Sequence, residues 1–239
     1  MSMDDEQKKS LALYLRFAAA QPRGFVYRSK EKAVSKAVPA ATGATTKQEQ
    51  LAALYAKYAK CMSCPLAEQG RTQVVFGVGD PEAKLMFIGE GPGRDEDIKG
   101  EPFVGRAGQL LDKIIEAMGL QRSDVYISNV VKCRPPGNRT PLPNERNTCK
   151  DLLLFKEIDI IKPRIICTLG SPSTQGLLGD DVRISDMRGT FHEFRGILVM
   201  PTYHPAYLLR NPAEKRTVWE DMKKIVAKLA ELEEKEKGA

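Results

Sequence analysis

Apolar residues follow two rhythms along this chain. Four short, nearly unbroken apolar runs, Leu85 to Ile88, Val125 to Val131, Arg164 to Leu169 and Ile197 to Met200, have the length of buried strands. Between them the spacing turns helical: Leu110, Leu111, Ile114, Ile115 and Met118 make a stripe that stops at Gly119. Thr46 is placed to cap a helix through Lys60, with Leu51, Leu54, Tyr55 and Tyr58 on its apolar side. Asn144 is placed to cap another reaching Ile161, and a last helix runs from about Pro212 into the charged tail. Strands that are apolar on both faces and alternate with helices predict an α/β protein. Its expected form is a three-layer α/β/α arrangement around a central four-stranded, mainly parallel sheet. No internal repeat is visible.

The first 46 residues read differently. Asp4 to about Ala20 fits a short helix with Leu11, Leu15 and Ala18 on one side. Residues 21–46 set Arg23, Arg28, Lys30, Lys32 and Lys36 against the single acid Glu31, which predicts a basic flexible linker. Such a linker serves equally as a solvated tether or as a source of non-specific phosphate contacts. The expected division is therefore 1–46, a helix and linker, and 47–239, the folded unit.

Composition narrows the classes. Of 239 residues, 42% are hydrophobic and 28% charged, the ordinary balance of a globular protein. A net charge of +6 suits a polyanionic partner without requiring one. No apolar run approaches the roughly 18 residues a membrane span needs. The N-terminus carries acids where a secretion signal would be basic, so an intracellular, cytoplasmic protein is expected. Five cysteines are an odd number in a reducing compartment, which favours metal or cluster ligation over disulfides.

The strand ends carry the candidate chemistry. The first strand runs into Gly89-Glu90-Gly91-Pro92-Gly93, the second ends at Asn129, and the fourth is followed by Tyr203-His204-Pro205. The carboxyl ends of parallel strands share one edge of the sheet, so Glu90, Asn129 and His204 are expected to meet there. The glycine turn is not a dinucleotide fingerprint: its spacing is G-x-G-x-G, and Pro92 removes an amide that would hold phosphate. Cys61 and Cys64 form C-x2-C, and Cys133 and Cys149 form C-x15-C. One close pair with two dispersed thiolates suits a [4Fe–4S] cluster better than a zinc ribbon. Cys167, inside the third strand, reads as a small buried hydrophobe. His192, in Thr-Phe-His-Glu-Phe, alternates as on an exposed strand and reads as structural.

Taken together, GEGPGRDED, PFVGRAGQLL, YISNVVKCRPP, HPAYLLRNP and the four cysteines resemble a family 4 uracil-DNA glycosylase, the iron–sulfur branch of that superfamily. The resemblance covers about Leu51 to the last helix and leaves out the first 45 or so residues. It implies a uracil-DNA glycosylase-like fold and a monofunctional DNA-repair hydrolase that flips uracil out of DNA and releases it. It also implies a monomer that acts on uracil-containing DNA, hands an abasic site to downstream base-excision-repair proteins, and has no membrane partner. In that family pattern Glu90 and Gly91 lie in the motif that positions the attacking water, and Gly89 belongs with the substrate-binding residues. Phe103 would stack on the extruded base, Asn129 would bind its edge, and His204 would face O2. Leu208, Leu209 and Arg210 would enter the minor groove, and Cys61, Cys64, Cys133 and Cys149 would hold the [4Fe–4S] cluster.

The chemistry suits these residue types. A carboxamide can accept from uracil N3–H and donate to O4, the reverse of what cytosine presents. A donor near O2 stabilises the charge that builds on departing uracil. The chain departs from family 1 members, whose Gly-Gln-Asp-Pro-Tyr supplies a water-activating Asp and a thymine-excluding Tyr; Gly91 and Gly93 stand at those places here. Glu90 and backbone groups both remain candidates for orienting the water. The cross-linking branch carries Lys-Arg-Arg-Ile-His after the second strand, where this chain has Arg134 to Pro143 without a histidine, so turnover is expected. Two other readings stay open: a non-catalytic Fe–S DNA-binding protein, and a glycosylase of the same fold acting on other deaminated bases.

Overall fold

The computed structural model describes residues 45–238, so the helix and basic linker expected over most of residues 1–46 lie outside the described residues. Six strands form one sheet: β1 (Val78–Gly79), β2 (Leu85–Gly89), β3 (Tyr126–Asn129), β4 (Ile165–Leu169), β5 (His192–Phe194) and β6 (Ile197–Thr202). Their order is β1-β3-β2-β4-β6-β5. The four expected strands are the central ones, and all pair in parallel. The expected count of four needs correction to six, because β1 and β5 add antiparallel edges. At two residues β1 is too short to show any alternation. β5 folds back onto β6 through Arg195 and Gly196, both at positive φ, a tight hairpin turn.

The central strands are largely apolar because successive side chains serve alternate layers. Leu85 and Phe87 face a core built with helix α3 (Arg106–Ala117), α8 (Pro205–Arg210) and α9 (Lys215–Lys237). Met86 and Ile88 face the opposite core, formed with α1 (Lys47–Tyr58), α5 (Phe155–Ile161) and α6 (Ser171–Leu178). Two short helices, α2 (Arg94–Lys99) and α7 (Ile184–Met187), lie in the connections. The three-layer architecture thus stands.

Helix boundaries follow local capping chemistry. Thr46 caps α1 as expected: its hydroxyl accepts from Glu49 N, and the Glu49 carboxylate accepts from Thr46 N. The helix expected from Asn144 instead begins at α4 (Pro143–Cys149), with Leu142 as the cap residue and its amide donating to the Glu145 carboxylate at 2.7 Å. Pro143 at the first helical position lacks the amide that would otherwise go unpaired. Between α4 and α5 the helix widens into a π turn over Lys150–Leu154, directly after Cys149.

Two carboxylates brace the segments around the sheet's carboxyl edge. Glu96 in α2 accepts from the amides of Gly93, Val104 and Gly105, joining the glycine turn after β2 to the loop before α3. Asp97, buried, accepts from the amide and hydroxyl of Thr72, fastening the same helix to the segment after the first cysteine pair. Of the acidic cluster after β2, these two members are therefore scaffold.

Gly108 shows how closely α3 approaches that loop. A Cβ at this position would stand 1.8 Å from the carbonyl oxygen of Phe103. Gly108→Ala is expected to destabilise the fold by about 1–3 kcal/mol, the usual cost of overpacking. Urea denaturation measures this, and an unchanged midpoint would contradict the contact.

Candidate active site

The carboxyl edge of the sheet does bring the three expected strand ends together. A cleft of about 460 Å³ opens there, lined by Glu90, Phe103, Asn129 and His204 among others. Parallel pairing sets Gly89 directly beside Asn129. Gly89 is obligatory at this point: a Cβ would lie 2.4 Å from Asn129 Oδ1 and 2.5 Å from the Phe103 ring. The absent side chain lets the carboxamide and the aromatic ring come together.

Asn129 is buried, and its Oδ1 has no hydrogen-bond partner among the described residues. An unpaired buried acceptor is costly, so the site is built to receive a donor. Phe103 is held at φ 55°, a backbone region that an aromatic residue rarely adopts. Its ring stacks near His204, with centroids 5.6 Å apart.

His204 caps α8, and its Nδ1 accepts from the amide of Ala206 at 3.0 Å. With Nδ1 occupied as an acceptor, the neutral ring carries its proton on Nε2 and has that N–H left to donate. Burial lowers the imidazole pKa to about 4, and the charge of Arg210 adds to the shift. The ring is therefore neutral at physiological pH. Burial also raises the pKa of Glu90, opposed by a hydrogen bond from Thr140 and by the charge of Arg146.

One expectation is corrected here. Leu208 is fully buried in the core between the sheet and α3, so its side chain does not reach a surface. Pro205 starts the helix, and the fourth position falls on its inward face. Leu209 is half-buried and packs against the same core, and Arg210 is exposed and lines the cleft. Several residues that line the cleft were not read as functional from the sequence: Tyr207, Arg139 and Glu96. Glu96 had a visible signal, its spacing of three from Gly93, which is that of a capping carboxylate.

A second cavity gathers Cys61, Cys64, Cys133 and Cys149 with Arg71, Val74 and Lys132. Cys133 and Cys149 are buried, and Cys61 and Cys64 are half-buried. Arg71 donates to Cys133 Sγ at 2.8 Å and to the carbonyl of Cys61, and the amide of Lys132 donates to Cys149 Sγ at 3.3 Å. Burial raises the thiol of Cys149 to about 12 and lifts Cys64 and Cys133 as well. Thiols so buried become thiolates only with compensating positive charge. No group of three or more ligating side chains among the described residues is arranged for a single metal ion. Cys167 lies buried in β4, as expected, and His192, in β5, bonds the carbonyl of Met187 at the end of α7, a structural contact.

The position of His204 yields a titration. Its folded pKa lies below the unfolded value of about 6.5, so above that pH both states hold the ring neutral and stability is unaffected. Below it the unfolded chain takes up the proton first. Stability is therefore lost as pH falls from about 6.5, and the loss levels off below about 4. The ring resonances followed by NMR are expected to titrate near 4, and a midpoint near 6.5 would contradict the burial described.

The profile of the Uracil DNA glycosylase superfamily matches residues 76–223. A type-4 uracil-DNA glycosylase of Thermotoga maritima is 45% identical over 183 residues, 75% of this chain and 94% of that protein. One of Sulfurisphaera tokodaii is 47% identical over 174 residues, 69% of this chain and 78% of that protein. A type-5 uracil-DNA glycosylase of Thermus thermophilus is more distant, 30% identical over 140 residues, 51% of this chain and 59% of that protein. The resemblance seen in the motifs and the strand-end cleft agree with these matches: the chain belongs to the uracil-DNA glycosylase superfamily, and within it to the type-4 family.

Proposed function

We propose that the cleft receives a uracil flipped out of DNA and hydrolyses its N-glycosidic bond, leaving an abasic site. The observation that carries this reading is the unpaired Oδ1 of Asn129 beside the Phe103 ring at the side-chain-free Gly89. Uracil presents a flat face for the ring and an N3–H for the oxygen. Cytosine has no N3–H, so it would leave the buried oxygen unpaired and is rejected. Flipping costs lost base stacking, which an aromatic in the pocket offsets.

Each remaining residue has a task set by its environment. The neutral His204 donates its Nε2–H toward uracil O2 and so stabilises the charge that develops as the bond breaks. Glu90 and the backbone of Gly91 orient the attacking water. Glu90 reaches the cleft from the end of β2, and its neighbours Thr140 and Arg146 favour its ionised form against burial. Arg210 and Tyr207 line the cleft and, with Leu209 between them in the chain, are taken to meet the DNA, and the basic balance of the chain favours a polyanion. Among the described residues no lysine lines the cleft for a Schiff base, which fits base release without strand cleavage.

The four cysteines fit a [4Fe–4S] cluster. Their sulfurs surround one cavity, two of them accept hydrogen bonds from Arg71 and Lys132, and the buried thiols need a cationic partner. When bound, the cluster supplies a covalent tie between the loop after α1 and the segment from Cys133 to α4, and no chemistry on the base. The enzyme is read as a monomeric, cytoplasmic protein whose catalytic unit spans 47–239.

A uracil-containing oligonucleotide is expected to give alkali-labile product with the native protein. His204→Ala should lower kcat by about 10²–10³-fold, the usual cost of one oxyanion donor. Asn129→Ala should lower kcat/KM on the order of 10²-fold or more. Absence of alkali-labile product from the native protein would favour the non-catalytic DNA-binding reading.

The cysteine centre has its own test. Cys149→Ser and Cys64→Ser are expected to lose bound iron and visible absorbance, whereas Cys167→Ser keeps both. Equal iron content in all three would remove the assignment.

A further inference from the structure

Asn129 reads the base with a carboxamide whose oxygen no protein group holds among the described residues, so its aim depends on its backbone. That backbone sits where the sheet ends. Val130 and Val131 still donate to the carbonyls of Gly89 and Glu90, but the carbonyl of Asn129 itself accepts from a side chain, Lys132 Nζ, at 2.8 Å. Lys132 is fully buried, and its ammonium also donates to Glu157 Oε2 at 2.7 Å and to Ser128 Oγ. All three of its protons are therefore placed. Glu157, in α5, is in turn held by the hydroxyl of Tyr55 and the amide of Gly77. The backbone amide of the same Lys132 donates to Cys149 Sγ at 3.3 Å.

We propose that Lys132 is a positioning residue: it holds the Asn129 backbone in base-reading register and couples that register to the cysteine centre. The proposal rests on the reading of Asn129 given above. A buried ion pair is weak evidence of stability, since apolar replacements of both partners are often tolerated. What an apolar pair could not do is hold the carbonyl at the end of β3. Donor and acceptor are three positions apart in the chain, so this bond closes the turn carrying Val130 and Val131. A misplacement of about 1 Å at a reacting group costs on the order of a hundredfold in rate.

The test is a double-mutant cycle between Lys132 and Asn129. Lys132→Met is made together with Glu157→Gln, so that no unpaired charge stays buried. The carboxamide introduced by Glu157→Gln still offers an oxygen to Tyr55 and Gly77. Uracil release is measured as kcat/KM in the native and Asn129→Ala backgrounds, with visible absorbance and thermal midpoint recorded for each protein. The expected result is a loss of about 30- to 100-fold with Asn129 present and of less than about threefold with Asn129→Ala, because residues acting through one another are non-additive. A similar loss in both backgrounds would mean a merely structural role and overturn the proposal. No loss with Asn129 present would overturn it too. Full activity of Asn129→Ala alone would instead overturn the base-reading role, and this inference with it. If the paired variant loses its visible absorbance, Ser128→Ala provides the same cycle in milder form. It leaves the ion pair whole and removes one acceptor of the ammonium, with a severalfold, Asn129-dependent loss expected and an Asn129-independent one overturning the proposal.

Discussion

The whole site depends on a side chain that is not there. Gly89 pairs with Asn129 across the first two central strands, and neither the carboxamide nor the Phe103 ring could occupy its place if Gly89 carried even a methyl group. Strand register decides this contact, because a one-residue slip would turn Asn129 to the other face of the sheet. The register is secured by the two cores that grip alternate side chains of β2 and β3. Ordinary hydrophobic packing in the middle of the protein thus sets the distance between two polar and aromatic groups at its edge.

Beyond the sheet edge, packing gives way to carboxylates. Glu96 gathers three amides from two loops, Asp97 ties α2 to Thr72, and Glu157 anchors Lys132. Loops rich in glycine and proline cannot satisfy their own amides as a helix or strand does. A carboxylate that accepts several amides makes such a loop rigid without secondary structure, and charge-assisted bonds are the strong ones. The glycines permit the path of the turn after β2, and Glu96 selects it. Phe103, at an unfavourable φ, is held in place by the same device through its neighbours Val104 and Gly105.

How much of this was legible follows from the range of each interaction. The central strands and α3 were readable because burial on two faces or one writes a local period into the sequence. The convergence of Glu90, Asn129 and His204 was readable because parallel topology forces strand ends to one edge. The two-residue β1 left no period at all. Leu208 was misread because a motif gives membership in a segment but not which side of a six-residue helix faces inward; the start at Pro205 determines that. Lys132 and Arg71 were invisible for another reason. A lysine beside a cysteine in an apolar stretch looks like a surface residue, and only the distant partners Glu157 and Cys149 make it an internal one.

The neutral state of His204 suits the role proposed for it at glycosidic-bond cleavage. As the glycosidic bond lengthens, uracil gains negative charge while the sugar becomes cation-like. An imidazolium would favour the first and oppose the second, and it would have to lose its hydration in a pocket that lowers its pKa to about 4. A neutral ring avoids that conflict. Its Nδ1 is tied to the Ala206 amide at the start of α8, which leaves a single N–H to donate and allows only one tautomer. The helix start therefore does two jobs with one bond: it caps α8, and it keeps the ring proton on Nε2, the atom the proposed donor role calls for. Arg210, the last residue of that helix, lowers the pKa further while standing exposed on the rim. An exposed guanidinium and a neutral ring N–H thus stand at opposite ends of one short helix, the arrangement that the proposed roles of Arg210 and His204 require.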